Sequence, residues 1–164
     1  MTPLRLLNLA IVPALAELAR CGIPDTQDAR RFLLAIALQE SGLCHRRQVV
    51  AGGAEAGPAS SFWQFEQGGC KGVLTHYRVA STMRTLCTDF NVQPTPAGLW
   101  EAMRYHDIVA AIAARLLLYT LPSKLATTAD AGWAQYLAAW RPGKPHPQTW
   151  ASNWELATTT VGAK

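Results

Sequence analysis

Residues Ile108-Val109-Ala110-Ala111-Ile112-Ala113-Ala114-Arg115-Leu116-Leu117-Leu118 are apolar on every side, with Arg115 as the one interruption. A helix with a single apolar stripe lies on a surface; one that is apolar all round needs cover on every side. Eleven such residues are too few to cross a bilayer, which takes about 20. The stretch therefore reads as the buried centre of a helical domain. Thr95-Pro96 is a good helix start and Pro122 a stop, so the pattern predicts one long central helix over about 97–121. The chain has 164 residues, 49% of them hydrophobic and 16% charged, which excludes a disordered or low-complexity polypeptide. A domain of that length buries roughly 70% of the surface its unfolded chain exposes, enough for one core without metal or cross-links.

Working outward, the remaining segments read as helices with short punctuation. Leu4, Leu7, Ile11, Leu15 and Leu18 keep a helical period over about 3–20, ended before Gly22-Ile23-Pro24. A second helix starts at Asp25, which reads as its N-cap, and carries Ala29, Phe32, Leu33, Ile36 and Ala37 on one face as far as Glu40. Gly52, Gly53, Gly57 and Pro58 mark a loop, followed by a short irregular or β-like aromatic segment near 60–66. Further helices are expected over about 69–76, 79–89, 129–140 and 148–157. No internal repeat or linker divides the chain, and residues 1–164 read as one mainly α domain.

The charge pattern is weakly informative. Fifteen Lys and Arg against eleven Asp and Glu give +4, which suits an anionic partner without choosing one. The basic pairs Arg30-Arg31 and Arg46-Arg47 read as solvated surface, and no helix carries the clustered Arg and Asn of a nucleic-acid reader, so no nucleic-acid partner is expected. Cys21, Cys44, Cys70 and Cys87 lack C-x-x-C spacing, and the four histidines lack ligand-pair spacing; neither a metal nor a cofactor is expected. The thiols are free or form one disulfide outside the cytosol. Leu6 to Ala16 resembles the apolar core of an export signal, but the helical period runs straight through the Ala14-Leu15-Ala16 cleavage-like site, so a retained helix is expected, with no stable membrane insertion.

Of the eleven carboxylates, Glu40 has the most unusual setting. It lies four residues after Ile36 and seven after Leu33, which places it on the apolar face at the helix end. The negative end of the helix dipole and the loss of water both disfavour its anion and raise its pKa. A carboxyl held neutral near working pH is what general-acid cleavage of a glycosidic bond requires.

The neighbourhood of Glu40 resembles that of a known enzyme family. Gln39-Glu40-Ser41-Gly42-Leu43, then Gly57-Pro58-Ala59-Ser60-Ser61-Phe62-Trp63-Gln64-Phe65, then Asp107-Ile108 with Ala114-Arg115-Leu116-Leu117, and finally Ala138-Ala139-Trp140-Arg141-Pro142-Gly143 occur in the order seen in the lysozyme-like superfamily. The closest branch is the soluble lytic transglycosylases, and the resemblance covers about residues 25–145. Trp140 and Arg141 stand where that branch usually has Tyr and Asn. Glu55 lies in a loop that commonly bears Ser, and the interval from Glu40 to Gln64 is longer than usual. The resemblance implies a single-domain lysozyme-like fold with Glu40 as acid and then base. Ser41 would support the helix end, and Gln64 would bond a sugar N-acetyl or lactyl group. Phe62, Trp63 and Trp140 would offer flat walls to pyranose faces, and Tyr105 could face the same groove.

The expected activity is cleavage of the MurNAc–GlcNAc β-1,4 bond of peptidoglycan by a monomeric lysis enzyme of phage or prophage type, made in the host cytoplasm and acting on the cell wall. A lysozyme-type hydrolase would add a second carboxylate, for which Glu66 and Glu55 are the candidates. A glycan-binding or virion module using the same groove without catalysis is the other alternative. Arg104 and Asp107 are spaced to pair along one helix.

Overall fold

The computed structural model describes residues 1–163. Helix α1 spans residues 3–20; Thr2 caps it, its hydroxyl accepting from the Arg5 N–H. Its Leu7–Ile11 segment is wound as a wider π turn. That turn ends just ahead of Pro13, which has no N–H and whose ring would strike the Leu9 carbonyl in a regular helix. Helix α2 is Gln27–Ser41. Its N-cap is Thr26, whose hydroxyl accepts from the Ala29 N–H, and not Asp25. Asp25 instead accepts from the Arg30 guanidinium, a stronger charge-assisted contact than a cap. Helices α3 (Gln67–Thr75), α4 (Ala80–Asp89), α5 (Pro96–Ala102), α6 (Asp107–Tyr119), α7 (Ala129–Trp140) and α8 (Pro147–Gly162) follow. The fold is mainly helical, and no helix among the described residues is long and apolar enough to cross a membrane.

Helix α6 is the centre. Every residue from Val109 to Leu116 is buried, and α1, α2, α3, α4 and α7 pack around it. Arg115 is only 4% exposed; its guanidinium lies over the Tyr119 ring, 5.3 Å from its centroid, with its Nε unpartnered. The expected continuous helix over 97–121 is interrupted: α5 stops at Ala102, residues 103–105 turn, and His106 is extended at φ −119° and ψ 84° before α6 begins. The restart places Asp107 in the first turn of α6, where the helix dipole favours an anion. There it binds Arg46 through two bonds of 3.0 and 2.7 Å. The expected Arg104–Asp107 pair is therefore absent, and Arg104 pairs with Glu101 one turn back in α5.

The segment between α2 and α3 is more ordered than its glycines suggest. Strands β1 (Arg47–Val49) and β2 (Glu55–Ser60) form an antiparallel hairpin whose register is interrupted between Arg47 and Val49. Gly52 and Gly53 make the turn at φ 90° and 82°, values that favour glycine. The hairpin precedes the irregular or β-like segment expected near 60–66, which is present as a bridged turn. Residues 61–64 form a tight turn clamped by reciprocal bonds between Ser60 and Phe65 (2.8 and 2.7 Å).

Late aromatic residues join α2, α7 and α8. Phe32 meets Trp150 and Trp154 edge-on, at centroid separations of 6.2 and 5.4 Å. Gly132 permits the close crossing of α7 and α8: a Cβ there would lie 2.5 Å from the Trp154 ring. The Gly132→Ala exchange gains up to about 1 kcal/mol of helix propensity, whereas overpacking a rigid aromatic costs about 1–3 kcal/mol. A net loss is expected, seen as a lower denaturant midpoint at unchanged m-value; a midpoint equal to or above that of the parent protein would refute the clash.

Candidate active site

Glu40 is the penultimate residue of α2 and sits where the helix unwinds. Gly42 and Leu43 both take left-handed backbone angles (φ 54° and 58°). The Ser41 hydroxyl bridges this end, donating to the Ala37 carbonyl at 2.9 Å and accepting from the Leu43 N–H at 3.2 Å. Ser41 thus holds the end of the helix that carries Glu40.

The Glu40 carboxyl faces an open cleft of about 790 Å³, within the usual range for small-molecule and oligomer subsites. Tyr136, on α7, donates its hydroxyl to Glu40 Oε1 at 2.7 Å. Loss of water raises the Glu40 pKa from 4.5 to about 7, and the Tyr136 hydrogen bond acts in the opposite direction. Tyr136 is 2% exposed and stacks on Trp150, at a centroid distance of 5.2 Å and 17° between planes. Burial, and then the neighbouring Glu40 carboxylate, push the Tyr136 hydroxyl well above its ordinary pKa, so it remains a donor.

One wall of the cleft is aromatic. Trp140 lies one helical turn beyond Tyr136 and donates its indole N–H to the Trp63 carbonyl at 2.9 Å. Phe65 meets it edge-on at 5.8 Å. Gln64 also lines the cleft; its amide nitrogen donates to the Ser61 carbonyl at 2.8 Å, which leaves the amide oxygen as acceptor. Gln64 and Arg141, both lining residues, have φ 49°. Such left-handed conformations cost a non-glycine residue about 1 kcal/mol or more and gather at functional sites.

The other sequence candidates separate cleanly. Phe62 and Trp63 are not groove walls: they are 1% and 0% exposed, and the Trp63 indole N–H donates into the core to the Leu33 carbonyl. The turn over 61–64 points these two rings inward, so Trp63 serves the cleft only through its carbonyl. Tyr105 is 75% exposed and lies away from Glu40, beside a second cavity of about 430 Å³ lined by Cys44, Arg46, Arg47, Glu55 and Arg104. Glu55 is bound there by His45 at 2.9 Å and does not line the Glu40 cleft. Glu66, exposed, does line it. Among the described residues no cluster of three or more His, Cys, Asp or Glu could hold a metal, and all four cysteines are free thiols, Cys70 and Cys87 buried.

Tyr136, Phe65 and Gln39 complete a site that sequence reasoning did not assemble. Tyr136 carried a usable signal, since it precedes Trp140 by four residues and so shares its helix face. Nothing in the sequence pairs Gln39 with α8. Its amide nitrogen donates to the His146 carbonyl at 2.9 Å, while its oxygen accepts from Thr149 Oγ1 at 3.0 Å and Asn153 Nδ2 at 2.9 Å.

These features define the class of site: a mainly helical protein with one desolvated carboxyl, bonded by a buried tyrosine, at the floor of a partly aromatic cleft. Compared with protein-family models, with curated proteins and with solved structures, the chain matches none.

Because the folded protein holds Glu40 protonated more tightly than the unfolded chain does, its contribution to stability is complete below about pH 4.5 and lost as pH rises through about 7. The loss amounts to at most about 3 kcal/mol. Glu40→Gln should flatten this part of the stability–pH curve. In Tyr136→Phe the opposing hydrogen bond is gone, so the Glu40 carboxyl, followed by carboxyl NMR titration, should titrate above its parent value; an unchanged or lower midpoint would remove Tyr136 from the account.

Proposed function

We propose that this protein is a peptidoglycan-cleaving enzyme of the lytic transglycosylase type, cutting the MurNAc–GlcNAc β-1,4 bond with Glu40 as its acid and base. The observation that carries the reading is the Glu40 carboxyl itself: neutral to about pH 7, facing the cleft, and bonded by Tyr136. The order of the Glu-Ser, Phe-Trp-Gln and Ala-Ala-Trp motifs supports the same reading, as does a helical frame interrupted by one small hairpin beside the acid. On this basis we assign the chain a lysozyme-like fold and the part of a phage or prophage lysis enzyme acting on the cell wall.

In this reading Glu40 gives its proton to the glycosidic oxygen as the C1–O bond breaks, and positive charge spreads over C1 and the ring oxygen. The carboxylate so formed then takes the proton of the C6 hydroxyl of the same sugar. That oxygen attacks C1, closes a 1,6-anhydro ring and restores the acid. Tyr136 orients the carboxyl by holding Oε1. Trp140, backed by the buried Phe65, offers apolar surface to a sugar ring, and Gln64 a free amide oxygen to an N-acetyl N–H.

Glu40→Gln should lower the clearing of purified peptidoglycan by at least about a hundredfold, as expected for loss of a general acid. Full activity in that variant would end the assignment. Activity of the parent protein should fall as pH rises above about 7, where Glu40 loses its proton. A second reading, hydrolysis, is favoured by one observation: Glu66 lines the same cleft and could activate water. Mass spectrometry separates the two, since the anhydro product is lighter than the reducing-end product by one water. Anhydro ends are expected; reducing ends abolished by Glu66→Gln would establish the hydrolase instead.

A further inference from the structure

Part of the cleft lining comes from the connection from α7 to α8, through Arg141, Pro142, Gly143, Lys144 and His146, and four features of it coincide. It presents two cations, Arg141 and Lys144, to the cleft, where Glu66 is the opposing carboxylate besides Glu40. Neither cation belongs to an ion pair among the described residues. The guanidinium of Arg141 makes one long bond, 3.4 Å, to the Ala138 carbonyl of its own helix. Arg141 holds the left-handed position that ends α7, where glycine is the usual occupant, so a long cationic side chain stands at the cleft mouth despite the strain.

The connection is also tied to the helix that carries the acid. Pro142, Pro145 and Pro147 restrict its backbone. The His146 carbonyl is bonded by Gln39, the residue immediately before Glu40, and Gln39 is held in turn by Thr149 and Asn153. The backbone that carries the two cations is thereby tied to the helix end that bears Glu40. Unpaired cations lining a cleft suit an anionic group on the ligand.

We propose that the Arg141–Lys144 segment is a carboxylate-recognition element, selecting glycan strands whose sugars carry acidic substituents over neutral N-acetylhexosamine polymers. The inference rests on the glycan-cleaving reading of the cleft and goes beyond it by naming the substrate feature and the two residues that read it. In peptidoglycan the carboxylates come from the stem peptide, or from the lactyl group where the peptide has been removed. The lactyl carboxylate lies beside the sugar ring, and those of the stem peptide lie further along the peptide. Arg141 offers one a planar two-donor face, and Lys144 adds a mobile point charge.

Binding is measured by calorimetry in the Glu40→Gln background, so that no strand is cut. The ligands are soluble peptide-bearing strands, the same strands stripped of peptide, and a neutral chitin hexasaccharide. The peptide-bearing strands should bind more tightly than the hexasaccharide, with an affinity that falls as salt rises. Adding Arg141→Gln and Lys144→Gln should reduce that preference about tenfold, as expected for two charge-assisted contacts. Adding Arg141→Lys and Lys144→Arg should retain most of it. If the preference persists in the peptide-stripped strands the lactyl carboxylate is the group read; if it vanishes there, the peptide is. A preference within twofold of the Glu40→Gln background in the neutralised variant, shown by circular dichroism to be folded, would overturn the proposal. Turnover by the parent protein is scored separately: absence of cleavage would refute the role of Glu40, while the binding ratio still judges the cationic segment.

Discussion

Helix α6 carries no solvent face to speak of, and the rest of the molecule is arranged to meet that constraint. A helix buried from Val109 to Leu116 must be covered on every side, so α1, α2, α3, α4 and α7 pack around it, each with an apolar stripe of its own. The charged exceptions on α6 are Asp107 in its first turn and the buried Arg115. Asp107 meets Arg46 at the favourable end of the helix dipole, and Arg115 reaches along Tyr119. The break between α5 and α6 belongs to the same economy, because it frees the α6 N-terminus for Asp107 to dock the hairpin strand region onto the core.

Within that frame Glu40 is an unfavourable placement that the fold sustains. An isolated anion at this depth is disfavoured, and the structure answers with one neutral donor instead of a cation. A cation would stabilise the carboxylate and pull its pKa down; a tyrosine hydroxyl satisfies one oxygen while leaving burial in control. The tyrosine is in turn immobilised by stacking against Trp150, and Trp150 by Phe32 of the helix that carries Glu40. The acid and its partner are thus closed into one loop of contacts across α2, α7 and α8.

The cleft walls are built differently, from backbone in unusual conformations and from cross-links between distant segments. Gln64 and Arg141 are held in left-handed geometry, Trp140 is tied to the Trp63 carbonyl, and Gln39 ties α2 to the start of α8. Aromatic surface, a free amide and unpaired cations line the same cleft. Such a cleft offers both apolar and charged contacts to a ring-shaped ligand with charged substituents.

Much of the helical fold was legible in local pattern. Periodic apolar residues marked α1, α2, α6 and α7, proline and glycine marked their ends, and the position of Glu40 on an apolar face at a helix end already implied a raised pKa. Other features were hidden because they depend on partners far apart in the chain. Asp107 could be matched locally with Arg104, but a partner sixty-one residues away, already turned toward it, won. Phe62 and Trp63 are aromatic enough for a sugar-binding wall, yet the turn closed by Ser60 and Phe65 sends both rings into the core. Gly57 and Pro58 read as loop, although an edge strand that bonds on one side only can accommodate both. By itself the sequence determined a helical domain with one conspicuous acid, because helix periodicity and end signals act within a few residues. Only the tertiary structure decided that Tyr136 bonds that acid, and that Trp140 and not Trp63 lines its cleft together with Arg141 and Lys144, because those choices rest on contacts between segments with no local signal to join them.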